Sequence, residues 1–139
     1  VWEIDARRAL GADEIGRAER ARGALAARFA AFFDDYDVLL CPATAEPPFD
    51  VGRRYVQEID DKAKATLHES SAVASAISLT GCPALSLPCG FTGNGLPVGL
   101  QMITRPRGEA ALLSFAALAE SLFDIARKVP IDPKAPPLT

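Results

Sequence analysis

Between Leu79 and Ile103 the chain spells out a strand, a turn and a second strand. Ala84-Leu85-Ser86-Leu87-Pro88-Cys89 and Pro97-Val98-Gly99-Leu100-Gln101-Met102-Ile103 are short apolar runs. Between them, Gly90-Phe91-Thr92-Gly93-Asn94-Gly95 holds an Asn-Gly dipeptide, a pair that reaches the positive φ values of tight hairpin turns. Gly81 ends the segment before it, because glycine accepts the left-handed conformation at helix ends, and Pro83 cannot continue a helix. A chain with this unit must pair two neighbouring strands antiparallel and cover at least one of their faces.

The rest of the sequence supplies the cover. Ile15, Ala18, Arg22, Leu25, Phe29 and Phe32 recur at three- and four-residue steps, which predicts a helix over Asp13–Phe33 with Asp13 as its N-cap. Asp37-Val38-Leu39-Leu40-Cys41-Pro42 reads as a buried strand stopped by proline. Pro47, Pro48 and Gly52 make 43–54 a loop. A second helix is expected over Asp60–Leu79, and a third over Glu109–Ala126 that buries Leu112, Phe115, Ala116, Ala119 and Leu122. The four prolines from Pro130 onward predict an extended tail. The order is helix, strand, helix, hairpin, helix, so the fold class is α/β and residues 1–139 form a single domain. Three strands make a thin sheet, and a larger sheet that these strands complete is the alternative.

Composition excludes several classes of function. The net charge is −3, with 15 Lys and Arg among 18 Asp and Glu, so the chain lacks the basic footprint of a nucleic-acid binder. Arg7-Arg8 and Arg53-Arg54 read as solvated faces. No apolar run approaches the ~20 residues needed to span a bilayer. The start, Val1-Trp2-Glu3-Ile4-Asp5, is not a secretory signal and lacks an initiator Met, which fits processing, missing residues or a piece of a longer chain. Cys41, Cys82 and Cys89 follow no zinc spacing, so no metal or other cofactor is expected. Reduced thiols in a cytoplasmic protein are the plain reading.

The segment Leu79-Thr80-Gly81-Cys82-Pro83-Ala84-Leu85-Ser86-Leu87-Pro88-Cys89-Gly90-Phe91, followed by Gly95-Leu96-Pro97-Val98-Gly99-Leu100-Gln101, closely resembles the C-terminal block of the amidase-signature family. Asp35 to Thr44 is similar to that family's preceding strand and proline-containing loop, and Glu109-Ala110-Ala111-Leu112-Leu113 to the start of its last helix. The likeness covers about Phe29 to Leu122. Ser78 stands where the family often has asparagine. The resemblance implies a small mixed sheet with an antiparallel hairpin, flanked by about three helices. It also implies hydrolysis of carbon–nitrogen bonds in a small-molecule amide, by a nucleophilic serine, a bridging serine and an upstream lysine. That machinery is not in this chain, so its N-terminal catalytic region would be the partner. By the same resemblance, Thr44 in the Pro42-Ala43-Thr44 loop and the turn Thr80-Gly81-Cys82-Pro83 should lie near the substrate pocket. Gly81 and Pro83 are equally explained as helix-to-strand punctuation.

Residues within the chain that mimic catalysis fail on geometry. Ser70-Ser71 follows Lys62 and Lys64, but a mid-helix pair has its N–H groups committed to the helix and cannot hold an oxyanion. In His68-Glu69-Ser70, helical neighbours point about 100° apart and cannot pass a proton in line. A nucleophilic Cys82 would need a base, and His68 is the sole imidazole. Gly90, Gly93 and Gly95 fit no phosphate loop. Asp34, Asp35 and Asp37 read as the solvated end of a helix. The expectation is therefore that the isolated chain does not turn over amides. The rival reading is a stand-alone domain that self-associates as a homo-oligomer or binds a protein partner through its sheet edge and its Ala- and Phe-rich first helix.

Overall fold

The computed structural model describes residues 9–64, 69 and 71–125. In chain order these form helix α1 (Ala12–Asp35), strand β1 (Leu39–Pro42), the short strands β2 (Glu58–Ile59) and β3 (Lys62–Ala63), and helix α2 (Ala72–Ser78). Strands β4 (Ala84–Phe91) and β5 (Pro97–Ile103) and helix α3 (Glu109–Phe123) follow. The class is α/β, with three helices among the described residues. The expected mixed sheet is instead antiparallel throughout: β5 lies at the centre of the order β1-β5-β4 and pairs antiparallel with both neighbours.

The hairpin is built by its turn. Thr92 donates its N–H to Leu96 O at 2.8 Å and accepts the Gly95 N–H at 2.9 Å. Gly95 sits at φ +80°. This is a short loop closed by a glycine in the left-handed region. Further along, Pro88 pairs with Gly99 and Gly90 with Val98, which leaves Cys89 as an extra bulged residue.

Each sheet face has its own cover. Leu87 and Met102 pack under Leu112 and Ala116 of α3, with Leu85 and Leu100 beside them. On the opposite face Ile103, fully buried, meets Phe33 of α1 and Ile77 of α2. The apolar run of β1 predicts a buried strand, yet β1 lies at the sheet edge with alternating burial, and Leu40 is 51% exposed. Leu122, expected inside, is 74% exposed. At 100° per residue it has rotated off the stripe that Leu112, Ala116 and Ala119 share. α3 ends with Asp124 in the left-handed region at φ 47°.

Three further expectations change. The N-cap of α1 is Gly11, not Asp13. The Glu14 carboxylate accepts the Gly11 N–H at 3.0 Å, and Asp13 sits in the first turn, where the helix dipole favours an acid. The helix expected over Asp60–Leu79 is interrupted. Asp60 and Asp61 take positive φ (53° and 56°) and turn β2 back onto β3, a conformation that Asp tolerates better than most residues. Its regular helical run before Thr80 is Ala72–Ser78. Finally, from Ala12 to Ala24 every residue of α1 except Gly16 is exposed, so its apolar stripe begins to pack only from Leu25 onward.

The C-terminal end of α1 lacks a basic residue of its own. Arg105, on the loop after β5, donates from Nη2 to Phe33 O at 3.1 Å and brings a cation to the negative end of the helix.

Candidate functional site

The face of the sheet that carries Ile103 opens, two rows further along, into a cavity of about 400 Å³. Its floor is made of small residues. Ala43 continues the β1 ladder by donating its N–H to Gly99 O at 3.0 Å. A Cβ placed on Gly99 would stand 2.9 Å from Ser86 Oγ and 3.0 Å from Ala43 Cβ, so only glycine lets these three chain segments close up.

The walls come from two directions. The loop after β1 contributes Thr44, Glu46, Pro47, Phe49 and Tyr55, and the α2 region contributes Ser71, Val73 and Ala74, with Pro97 at the rim. Local hydrogen bonds shape the loop: Thr44 Oγ1 donates to Glu46 O at 2.8 Å, and the Gly52 N–H donates to Asp50 Oδ1 at 2.7 Å. The Arg53 guanidinium lies 5.7 Å from the centre of the Phe49 ring, outside the cavity lining. Ser71 is the N-cap residue of α2, not the mid-helix position expected, and its Oγ is 3.3 Å from Ser75 Oγ.

The cavity is largely apolar, with Thr44, Ser71, Ser86, Tyr55 and Glu46 as the polar residues of its described lining. Among the described lining residues there is no Lys, His or Cys to act as base or thiol nucleophile. Lys62 is directed to Asp60, 3.5 Å away on the exposed β2–β3 turn. Ser70 and His68 lie outside the described residues.

Of the pocket residues expected from sequence, Thr44 lines this cavity; Thr80, Gly81, Cys82 and Pro83 do not. Thr80 is buried, donates from Oγ1 to Ile77 O at 2.7 Å and accepts the Cys82 N–H at 3.2 Å. Gly81 takes φ +74°. Cys82 packs against the Phe33–Ile77–Ile103 cluster, and Pro83 O accepts the Thr104 N–H at 3.2 Å. These four form the connection between α2 and β4. Ser86 and Gly99 line the cavity without having been singled out by sequence reasoning. Their signals are a hydroxyl between two leucines and a glycine inside a strand.

Beyond the cavity, Cys41 Sγ donates to Gln101 Oε1 at 3.3 Å on the same sheet face, and burial pushes the Cys41 thiol up. Cys41, Cys82 and Cys89 are all free thiols. No helix among the described residues is long and apolar enough to cross a membrane.

A family model described as Amidase matches residues 4–113. The chain belongs to the amidase family. Over 100 residues it is 39% identical to a glutamyl-tRNA(Gln) amidotransferase subunit from Brevibacillus brevis, a match covering 72% of this chain and 19% of that protein. A solved bacterial aryl acylamidase of the amidase-signature enzymes superposes with a TM-score of 0.76 at 22% identity, over 92% of this chain and 28% of that one. A second solved amidase gives 0.74 at 26% identity, over 85% and 27%. The amidase-family chain thus spans about a fifth of the length of the curated relatives it matches and corresponds to their C-terminal part.

Proposed function

We propose that this chain forms one wall of the substrate cavity of an amidase that hydrolyses carbon–nitrogen bonds. Its nucleophile, base and oxyanion donors come from an N-terminal catalytic region outside these residues. The observation that carries the reading is the cavity over Gly99. It is large enough for a small amide and is lined by four hydroxyl-bearing residues, Thr44, Tyr55, Ser71 and Ser86, yet no basic side chain lines it among the described residues. Thr44 and Ser86 contact the substrate, and the Thr80–Pro83 connection holds the start of β4 in register beneath it. In the intact enzyme a serine attacks the amide carbonyl while a lysine takes its proton through a bridging serine. The C–N bond then breaks, the proton passes to the departing amine, and water hydrolyses the acyl-enzyme to the acid and the free serine.

The test is an amide-hydrolysis assay on the purified 139-residue chain. The expected result is no turnover above buffer. Turnover that disappears in Ser71→Ala would overturn the reading, because it would locate a nucleophile in this wall.

A second reading, a non-catalytic domain that self-associates or binds a protein partner, is favoured by one observation. Leu113, Leu118 and Leu122 of α3 are 60%, 60% and 74% exposed. Light scattering separates the two: a concentration-independent monomer without dye-binding apolar surface counts against it.

A further inference from the structure

Charge separates the amides this wall can receive. Glu46 is the single charged residue among the described lining residues, and the remaining surface is dominated by Pro47, Phe49, Val56, Val73 and Pro97. The nearby loop cation Arg53 sits over the Phe49 ring in an adjoining hollow with Asp50 and Glu58. That hollow shares Glu46, Pro47, Pro48, Phe49 and Val56 with the cavity, but Arg53 itself is not among the cavity's described lining residues. A carboxylate entering the cavity would lose water and gain no cation from the described lining, whose one charged residue is the acid Glu46. An aryl or branched alkyl group would instead bury apolar area against proline and phenylalanine faces, while the amide itself reaches the hydroxyls of Thr44 and Ser86.

We infer that this wall selects amides whose flanking group is uncharged and apolar, and rejects amides that carry a free carboxylate. The inference rests on the cavity being the substrate wall, and it names the substrate class of that same site. Nothing in the amide-cleavage step depends on it. It fixes which molecules are held long enough to react.

The experiment is a two-dimensional amide NMR titration of the 139-residue chain with two probes, benzamide and L-glutamine. Benzamide is expected to shift the Thr44, Ser86 and Gly99 signals saturably. Glutamine should need a concentration on the order of tenfold higher or more, equivalent to about 1.4 kcal/mol. If glutamine shifts the same signals as strongly as benzamide, the substrate-class inference is overturned while the cavity remains the wall. If neither probe moves them, the cavity reading fails and takes the inference with it. Val73→Trp, at a partly exposed wall position away from the buried clusters, should keep the folded spectrum and remove the benzamide shifts. Shifts that survive it would show binding elsewhere and overturn the inference.

Discussion

Gly99 and Ser86 meet at the floor of the cavity, where a Cβ on Gly99 would lie 2.9 Å from Ser86 Oγ. Ala43 Cβ closes the same space at 3.0 Å from the opposite strand. Ser86 can rotate its hydroxyl away, but the Ala43 methyl cannot move without its backbone. Gly99→Ala is therefore expected to destabilise the chain by about 1–3 kcal/mol in urea unfolding. Adding Ser86→Ala should recover only part of that loss. Full recovery would mean that Ala43 imposes no limit.

The hairpin turn discriminates between two glycines of the same loop. Gly95 holds φ +80°, whereas Gly93 does not have positive φ, and neither has a heavy atom near its missing Cβ. Gly95→Ala should cost about 1–2 kcal/mol through backbone strain alone. Gly93→Ala should be neutral or slightly stabilising. Equal effects in thermal unfolding would contradict the turn geometry.

Ile103 joins α1, α2 and the central strand through contact with Phe33 and Ile77. Ile103→Ala is expected to cost about 2–5 kcal/mol, with Ile103→Val near 0.5–1.5 kcal/mol. A loss below about 1 kcal/mol for the alanine variant would show that this side of the sheet is not a packed core.

Burial raises the Cys41 thiol pKa, and its S–H donates to Gln101 Oε1. The folded chain thus favours the neutral thiol. The resulting stabilisation is complete below the ordinary thiol value of about 8.5 and is lost as pH rises through the folded value. Urea midpoints should fall more between neutral and alkaline pH for the native chain than for Cys41→Ser. A steeper fall in the variant would reverse the sign. Native Cys41 should also alkylate more slowly than in the unfolded chain.

The parts of the fold that are legible in the sequence are those with a local signal. The hairpin is one, because Gly95 and the flanking apolar runs define it within a short stretch of chain. Periodicity reveals α1 and α3, apart from Leu122, which the stripe leaves behind. The interruption at Asp60-Asp61 is hidden, because aspartates are also common in helix first turns, and only tertiary placement favours the left-handed pair. The cavity is the least legible part. Resemblance points to Thr44, but Ser86, Gly99 and Val73 come together from strands and a short helix far apart in sequence. Only their register, with Gly99 beside Ala43 and under Ser86, makes them neighbours.

Whether the Gly99 cavity is a substrate wall is decided by a crystal structure of the chain soaked with benzamide. The expected density places the amide over Gly99, within hydrogen-bond reach of the Ser86 or Thr44 hydroxyl, with its ring against Phe49 and Pro97. A cavity filled by the chain's own side chains, or benzamide bound only elsewhere, would contradict it.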